Sequence, residues 1–228
     1  MEIKHLLFDL DNTLYPATAA MDAGITKRML DFIANFLGVS YEQAVAQRKI
    51  RLPHYGTTLE WLRTEHNLSD VDEFFAAVHP PEEVEELEKD ENLRSLLQSL
   101  SLPMTILTNA PMCHAKRVLE FLDVADLFSG IYDIQKNNFK GKPYPAAYTN
   151  AIEGAGFSIA DTLFFDDHKK YTEGYRKLGG TAVLVCHPDV AKDSNLHPLD
   201  TATSADDNGT LQIASVYDVP ALLERLTY

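Results

Sequence analysis

The chain has 228 residues, of which 45% are hydrophobic and 24% charged, the balance of a globular protein with one core or a core plus a small second domain. Its formal net charge is −14, from 34 acidic and 20 basic residues. Such an acidic surface repels polyphosphate backbones, which excludes nucleic-acid polymers and anionic membranes as expected partners. A small phosphorylated molecule stays possible, because a local cation can reverse the field inside one cleft.

The two cysteines, Cys113 and Cys186, have no zinc-binding spacing and cannot build a disulfide framework. They predict free thiols in a reducing compartment. The first apolar run, residues 5–8, is too short for a signal-peptide core or a membrane span. We therefore expect a cytoplasmic protein, as a monomer or a homodimer.

The first part of the chain predicts one strand followed by a block of helices. Residues 2–9 predict a buried strand. Apolar residues at helical spacing then end at Gly38, a stop signal, and Ser40 with Gln43 predicts a capping box for a helix over 41–50. The remaining helices of the block are predicted at about 57–65, 70–78 and 81–100.

Strands and helices alternate in the rest of the chain. The strands are predicted over 104–107, 130–133, 162–165, 181–186 and 211–213. The helices are predicted over 114–122, 144–154, 171–178 and 219–226. Residues 187–209 are polar without any period and predict a long surface loop. The alternation indicates an α/β fold: a Rossmann-like, doubly wound parallel sheet with helices on both faces.

The helical block interrupts the first strand–helix unit. We therefore interpret residues 16–92 as an inserted all-helical cap domain, and residues 1–15 and 93–228 as the α/β catalytic core. An insertion here lies over the carboxyl ends of the strands, where ligands bind in open α/β sheets. The acidic stretch 82–91 is interpreted as a solvated face.

Three predicted strands end in polar residues that apolar packing would not select. These residues are Asp9 and Asp11, Thr108 and Asn109, and Asp166 and Asp167. Each pair alone is ordinary turn or helix-cap chemistry. In a parallel sheet, however, all three ends lie on one edge, where four carboxylates would share a small site. Like charges so close need protons or a bound cation, and Mg²⁺ suits such a set of oxygen ligands.

Four segments resemble the four motifs of the haloacid dehalogenase superfamily of phosphohydrolases, in the family order. They are residues 8–15, 106–110, 141–143 and 165–167. The helical insert resembles the helical cap type of that superfamily. The run Asp-Asn-Thr-Leu-Tyr-Pro, the cap sequence His54-Tyr55-Gly56 and the His114 after the second motif look most like the pyrimidine 5′-nucleotidase branch.

The resemblance implies a phosphatase that forms an aspartyl-phosphate. Asp9 would attack phosphorus, and Asp11 would protonate the leaving oxygen and later deprotonate the attacking water. Thr108 would hydrogen-bond a phosphoryl oxygen, with help from backbone N–H groups after Asp9. Lys142 would neutralise charge on Asp9 and the phosphoryl group; Lys140 is the alternative, although the Lys-Pro pattern fits only position 142.

The resemblance also implies the metal ligands. Mg²⁺ would be held by Asp9, the backbone carbonyl of Asp11 and Asp167, with Asp166 bound directly or through water. One departure from the branch follows the paired aspartates. His168 and Tyr171 stand where a Ser and an Asn are usual, which leaves subfamily and substrate open.

Candidate substrate-binding residues come from the cap and the second motif. Arg51, His54, Tyr55 and Trp61 lie near one predicted helix–helix junction and could contact a base or a sugar, as could Asn109. The alternatives are core packing for Trp61 and Tyr55 and an exposed loop for His54.

Several functions stay open from the sequence. The first is hydrolysis of a nucleoside 5′-monophosphate, with pyrimidines preferred. Sugar-phosphate or phosphoglycolate hydrolysis and phosphomutase activity are the alternatives within the superfamily. Dehalogenation is disfavoured, because carbon–halogen cleavage does not need the acid that Asp11 offers. A non-catalytic regulatory or binding protein would be marked by loss of motif residues, and all of them are present.

Overall fold

The computed structural model describes residues 2–16, 20–187 and 211–227. Within these ranges it contains six strands and nine α-helices. The strands are β1 (His5–Phe8), β2 (Met104–Leu107), β3 (Phe128–Tyr132), β4 (Thr162–Asp166), β5 (Thr181–Val185) and β6 (Leu211–Ile213). The helices are α1 (Ala20–Leu37), α2 (Tyr41–Arg51), α3 (Thr58–His66), α4 (Val71–Val78), α5 (Leu93–Ser99), α6 (Met112–Phe121), α7 (Pro145–Gly154), α8 (Lys169–Arg176) and α9 (Val219–Thr227).

All six strands form one parallel sheet in the order β3-β2-β1-β4-β5-β6. The chain winds outward from β1 through β2 to β3, and then crosses back to β4 on the other side of β1. The predicted doubly wound α/β fold is therefore confirmed. Its switch point lies between β1 and β4, where Phe8 is in register with Phe165. In open α/β sheets, ligands bind at the carboxyl ends of the strands beside such a point.

Successive strand residues face opposite sides of the sheet, and each central strand is buried along its whole length. In β1, Leu6 and Phe8 pack into a cluster with α5, α6 and α9, whereas Leu7 packs into a second cluster with α7 and α8. In β4, Phe165 and Phe164 divide between the two clusters in the same way. Burial on both faces explains why apolar residues dominate these strands.

Helices α1 to α4 pack around a cluster of their own, built on Trp61, Phe74 and Ile33. One core residue, Ile134, also belongs to it, while Met21 and Leu87 at the two ends of the helical block pack with the sheet. Gly38 follows α1 at φ +64°, and the Ser40–Gln43 capping box of α2 is present as predicted. The separate cluster of α1 to α4 supports a cap domain, and residues 16 and 92 stay the limits that we propose for it.

The prediction of one helix over residues 81–100 is wrong. Pro81–Glu86 forms a 3₁₀ helix, Leu87 is extended at φ −106° and ψ 137°, and helical structure resumes only at α5. The interpretation of residues 82–91 as a solvated face is also wrong at Glu83, which is 1% exposed. Its carboxylate points inward and contacts histidine and arginine side chains, so the acidic residues of this segment do not all lie on one exposed face.

The predicted surface loop at 187–209 lies outside the described residues, except for His187. Within the described ranges, no helix combines the length and the apolar character that crossing a bilayer requires.

His5 is a buried histidine inside β1. Its Nδ1 lies 3.1 Å from Thr162 Oγ1 and its Nε2 2.9 Å from Thr105 Oγ1. The ring stacks on Phe157 with 4.5 Å between centroids. Burial lowers the pKa of His5 to about 4, so the folded state favours the neutral imidazole.

We predict that the contribution of His5 to stability is present above pH 6.5, the ordinary pKa of histidine, and is lost as the pH falls towards 4. In that window the unfolded chain binds a proton that the buried ring does not. Replacing His5 by Asn should therefore reduce the loss of unfolding free energy between pH 7 and pH 5 by about 1–2 kcal/mol, measured by urea unfolding. The exposed His54→Asn variant is the control and should behave as wild type. Equal losses in wild type and His5→Asn would contradict this account.

Candidate active site

The carboxyl ends of the three central strands bring the predicted site residues together. Asp9 follows β1, and its N–H donates to Phe165 O of β4 at 2.9 Å. Asp166 is the last residue of β4, and Thr108 follows β2 on the other side of β1. All three residues are at most 6% exposed. The sheet register therefore places the two carboxylates and the hydroxyl at the same edge of the sheet.

Lys142 occupies the centre of this edge. Its ammonium lies 2.7 Å from Asp9 Oδ1 and 2.6 Å from Asp166 Oδ2, and its side chain is 1% exposed. The two carboxylates raise the pKa of Lys142 far above its usual value, although burial opposes the shift. Lys142 is therefore a fixed positive charge between the two strands. Lys140, the alternative, instead lies over the Tyr144 ring at 5.8 Å.

Asn109 holds Lys142 in place. Its side-chain oxygen accepts from Lys142 N at 2.7 Å, and its Nδ2 donates to Lys142 O at 3.0 Å. This double contact engages the oxygen and one N–H of the amide, and a role of Asn109 in binding substrate stays a prediction. Thr108 Oγ1 accepts from Ala110 N at 3.0 Å, which orients the hydroxyl at the strand end.

Three carboxylates outnumber the single ammonium. Oxygens of Asp9, Asp166 and Asp167 all lie within 4.8 Å of one another. Burial raises the pKa of Asp9 to about 8; Lys142 opposes the rise, and the Asp166 and Asp11 charges add to it. Burial and the charges of Asp166 and Asp9 likewise raise the pKa of Asp167 well above its ordinary value. A cluster of hard oxygen donors that lacks positive charge fits a divalent cation of the Mg²⁺ type.

The Asp11 carboxylate lies outside this cluster. Its Oδ1 accepts from Tyr15 OH at 2.5 Å and contacts His114 Nε2 at 2.7 Å. Burial would raise the pKa of Asp11, but His114 outweighs it and lowers the pKa. Burial disfavours protonated His114, yet Asp11 and Glu83 raise its pKa to about 10. The predicted metal contact through the Asp11 backbone carbonyl stays a prediction.

Three of the four cap residues chosen from the sequence contact one carboxylate, that of Glu65. Arg51 Nε, Tyr55 OH and Trp61 Nε1 lie 3.2, 2.9 and 3.0 Å from the Glu65 carboxylate. Trp61 is fully buried in the cap cluster, which confirms the core-packing alternative for that residue. His54 is exposed. Substrate contacts of Arg51, His54 and Tyr55 therefore stay predictions.

One of the two unusual residues after the paired aspartates, Tyr171, connects the core to the cap. Tyr171 OH donates to Gly56 O at 3.2 Å, and its ring stacks on His168 with 4.5 Å between centroids. Neighbouring Lys170 donates to Leu52 O and Tyr55 O. The large side chain at position 171 thus reaches the cap backbone.

Two residues of the site region were missed from the sequence. Glu83 contacts His114, and Glu60 accepts from Gly56 N and from Tyr144 OH across the cap–core boundary. Both are acidic residues within a charge-rich helical block, and nothing in that pattern distinguishes an inward carboxylate from a solvated one.

Gly141 leaves room for the contact between Asn109 and Lys142. A Cβ at position 141 would lie 1.9 Å from Asn109 Oδ1 and 2.9 Å from Ile134 Cδ1. We predict that Gly141→Ala lowers the unfolding free energy by about 1–3 kcal/mol, because the amide must move out of its position. Gly130→Ala is the control, since its Cβ would meet only Tyr132 at 3.4 Å. Equal free energies of unfolding for the two variants, measured in urea, would show that the Asn109–Lys142 contact does not need glycine at position 141.

Comparison with known proteins agrees with this geometry. A family model described as haloacid dehalogenase-like hydrolase matches residues 3–170. The chain is 26% identical over 190 residues to Phosphate metabolism protein 8 of Saccharomyces cerevisiae. The match covers 77% of this chain but only 59% of the yeast protein. It is also 26% identical over 214 residues to the phosphoglycolate phosphatase of Pectobacterium atrosepticum, covering 84% of this chain and 88% of that enzyme.

A solved structure shares the fold. A HAD phosphatase from Thermococcus onnurineus superposes with a TM-score of 0.62 at 18% identity, over 97% of this chain and 98% of its own. Such low identity shows the fold alone. The family model covers well over half of the sequence, and its span includes Asp9, Thr108, Lys142 and both aspartates after β4. The chain therefore belongs to the haloacid dehalogenase-like hydrolases.

Proposed function

We propose that this hydrolase is a magnesium-dependent phosphatase that cleaves small phosphate monoesters through an aspartyl-phosphate on Asp9. The observation that carries the proposal is the buried Asp9 carboxylate, which lies 2.7 Å from Lys142 and beside Asp166 and Asp167 at the switch point of the sheet. A carboxylate fixed in this way needs little reorganisation to attack phosphorus.

The residues around Asp9 divide the remaining tasks. Lys142 offsets charge on Asp9 and on the incoming phosphoryl group. Thr108 donates its hydroxyl to a phosphoryl oxygen. The Leu10 N–H already donates to Asp9 Oδ1 at 2.8 Å, so the N–H groups of Asp11 and Asn12 are the backbone candidates for the other oxygens.

Asp9, Asp166 and Asp167 are the side chains that would hold Mg²⁺, together with the backbone carbonyl of Asp11. When bound, the ion supplies the positive charge that the three carboxylates lack, and it polarises the phosphoryl group. The hydrogen bond from His168 N to Asp166 Oδ1 at 2.8 Å, with Lys142 on the other oxygen, fixes the Asp166 carboxylate in one orientation. Such support keeps a metal site in shape.

Asp11 acts as the general acid in its protonated form and then, as a carboxylate, as the general base. Burial is outweighed by His114, which lowers the pKa of Asp11, so the resting carboxylate takes up a proton before it donates one. Protonation of the leaving oxygen by Asp11 makes departure of an alkoxide unnecessary, and the resulting carboxylate can take a proton from the water that attacks the intermediate. A dehalogenase has no need of this acid, and a non-catalytic protein has no need of the arrangement around Asp9. Both therefore remain weaker proposals.

For the substrate, we propose a nucleoside 5′-monophosphate with a pyrimidine base, on the cap resemblance seen in the sequence. Phosphoglycolate or a sugar phosphate is the second candidate, and the similarity to a phosphoglycolate phosphatase over most of both chains favours it. A phosphomutase of the same superfamily would pass the phosphoryl group to an alcohol instead of water.

We predict that phosphate is released from a panel of UMP, CMP, purine monophosphates, sugar phosphates and phosphoglycolate only when Mg²⁺ is present. Chelation should lower kcat/KM by about 10²-fold or more, because several kcal/mol of charge stabilisation is lost. Replacing Asp9 by Asn should abolish turnover, whereas Asp126→Asn, at an exposed ion pair with Arg94, should not.

The same panel decides between the substrates. Fast turnover of UMP and CMP supports the nucleotidase proposal. Absent turnover of both, beside rapid turnover of phosphoglycolate or a sugar phosphate, supports the second candidate. Wild-type activity in the Asp9→Asn variant would refute the assignment of the nucleophile.

A further inference from the structure

Hydrogen bonds link the Asp11 side chain, through His114, to the return segment, which connects the helical block to the core. His114, on α6, contacts Asp11 Oδ1 through Nε2 and Glu83 Oε1 through Nδ1, both at 2.7 Å. Glu83 lies in the 3₁₀ helix Pro81–Glu86. The His114 and Glu83 side chains are both fully buried, whereas that of Asp11 is 28% exposed. A chain of hydrogen bonds thus joins a buried part of the return segment to the rim of the site.

Both ring nitrogens of His114 face carboxylate oxygens, so the imidazole is held at each end. The hydrogen bonds of Asp11 within the described residues all go to one oxygen: Tyr15 OH and His114 Nε2 both meet Oδ1. This leaves Oδ2 as the atom that can face a leaving group or a water. Two contacts on one oxygen also stop the carboxylate from rotating, which a partly exposed aspartate would otherwise do.

Glu83 is fixed in turn. Its Oε1 accepts from Arg117 at 2.7 Å, and its Oε2 lies 3.0 Å from His79 Nδ1. Arg28, on α1, approaches to 3.9 Å. Ligand atoms of His79, Glu83 and His114 lie close enough to suggest a metal site. However, the Arg117 guanidinium already occupies one Glu83 oxygen, so the group is better described as a chain of ion pairs.

We propose that His114 is a positioning residue for Asp11, and that Glu83 holds His114 so that Asp11 Oδ2 stays directed at the leaving oxygen. The inference rests on the proposed function, because it assigns the proton transfer to Asp11. It also gives the buried Glu83, which the sequence pattern assigned to a solvated face, a role in the reaction: the return segment of the cap supports the general acid.

The proposal predicts a dependence on the leaving group. An alkyl phosphate needs a proton on its departing oxygen, whereas p-nitrophenolate leaves readily without one. Because kcat/KM reports every step up to the first irreversible one, it isolates formation of the aspartyl-phosphate. A defect in positioning Asp11 must therefore appear with the alkyl ester and largely vanish with the aryl ester. A general loss of structure would lower both.

The experiment compares His114→Gln and Glu83→Gln with wild type in the presence of Mg²⁺, on glycerol phosphate and on p-nitrophenyl phosphate. His114→Gln should lower kcat/KM about 10²-fold for the alkyl ester and less than about 10-fold for the aryl ester. In the Asp11→Asn background, His114→Gln should cause almost no additional loss, since the two residues act as one unit. Glu83→Gln should show the same selectivity with a smaller loss.

The matched control is Glu86→Gln. Glu86 shares the 3₁₀ helix with Glu83 and pairs with Arg28 at 2.7 Å, but it does not contact His114. This variant should change both rates by less than about 3-fold. Equal losses on the two esters, or the same selectivity in Glu86→Gln, would overturn the proposal while leaving the phosphatase assignment intact.

Thermal unfolding of each variant accompanies the assays. If Glu83→Gln fails to fold, the effect of His114→Gln in the wild-type and Asp11→Asn backgrounds alone decides whether the proposal holds. Failure of both Glu83→Gln and His114→Gln to fold would show a purely structural network and refute the inference. A wild-type enzyme that releases phosphate from neither of these esters nor from any member of the substrate panel would refute the proposed function itself.

Discussion

The ammonium of Lys142 between Asp9 and Asp166 is the contact on which the rest of the site depends. Two carboxylates at the ends of adjacent buried strands repel each other in a medium of low polarity, and a buried ion pair persists only when its partners are well placed. Lys142 supplies that partner at 2.7 and 2.6 Å, and Asn109 holds its backbone from both sides. Removing the ammonium would leave the switch point of the sheet with an uncompensated cluster of negative charge.

Two groups of contacts between the cap and the core lie next to the site. On one side, Lys170 and Tyr171 bind backbone carbonyls at Leu52, Tyr55 and Gly56. On the other, Glu83 binds His114 and Arg117 of α6. Each group includes a residue that touches the site. Tyr171 contacts the Lys142 ammonium, and His114 contacts Asp11. A change in the position of the cap would therefore displace the residues that we propose to carry out the chemistry.

Much of this arrangement could be predicted from the sequence, for a simple physical reason. Parallel strands buried on both faces are continuous apolar runs, so β1, β2 and β4 and the polar residues that follow them were located closely. Once the strands are parallel, their carboxyl ends meet, and Asp9, Thr108 and Asp166 had to be neighbours. The capping box at Ser40 was equally local and was confirmed.

The contacts that depend on distant partners could not be predicted. Glu83 lies in a run of acidic residues with the composition of a solvated helix, and only the position of His114 and Arg117 on α6 turns it inward. The same holds for Glu65, which draws the side chains of Arg51 and Tyr55, and for Tyr171, whose hydroxyl finds the cap backbone. A single sequence shows the residue types but not the partner, so these side chains were assigned to surface, substrate or undefined roles.

The central claim is that Asp9 attacks phosphorus, and trapping the covalent intermediate tests it most directly. The Asp11→Asn variant should still accept a phosphoryl group from p-nitrophenyl phosphate but should hydrolyse the product slowly, because it lacks the base that activates water. Acid quenching during turnover, followed by mass spectrometry of the proteolytic peptides, should find the phosphoryl group on Asp9. A phosphoryl group on another residue, or no covalent intermediate while p-nitrophenol is being released, would contradict the account.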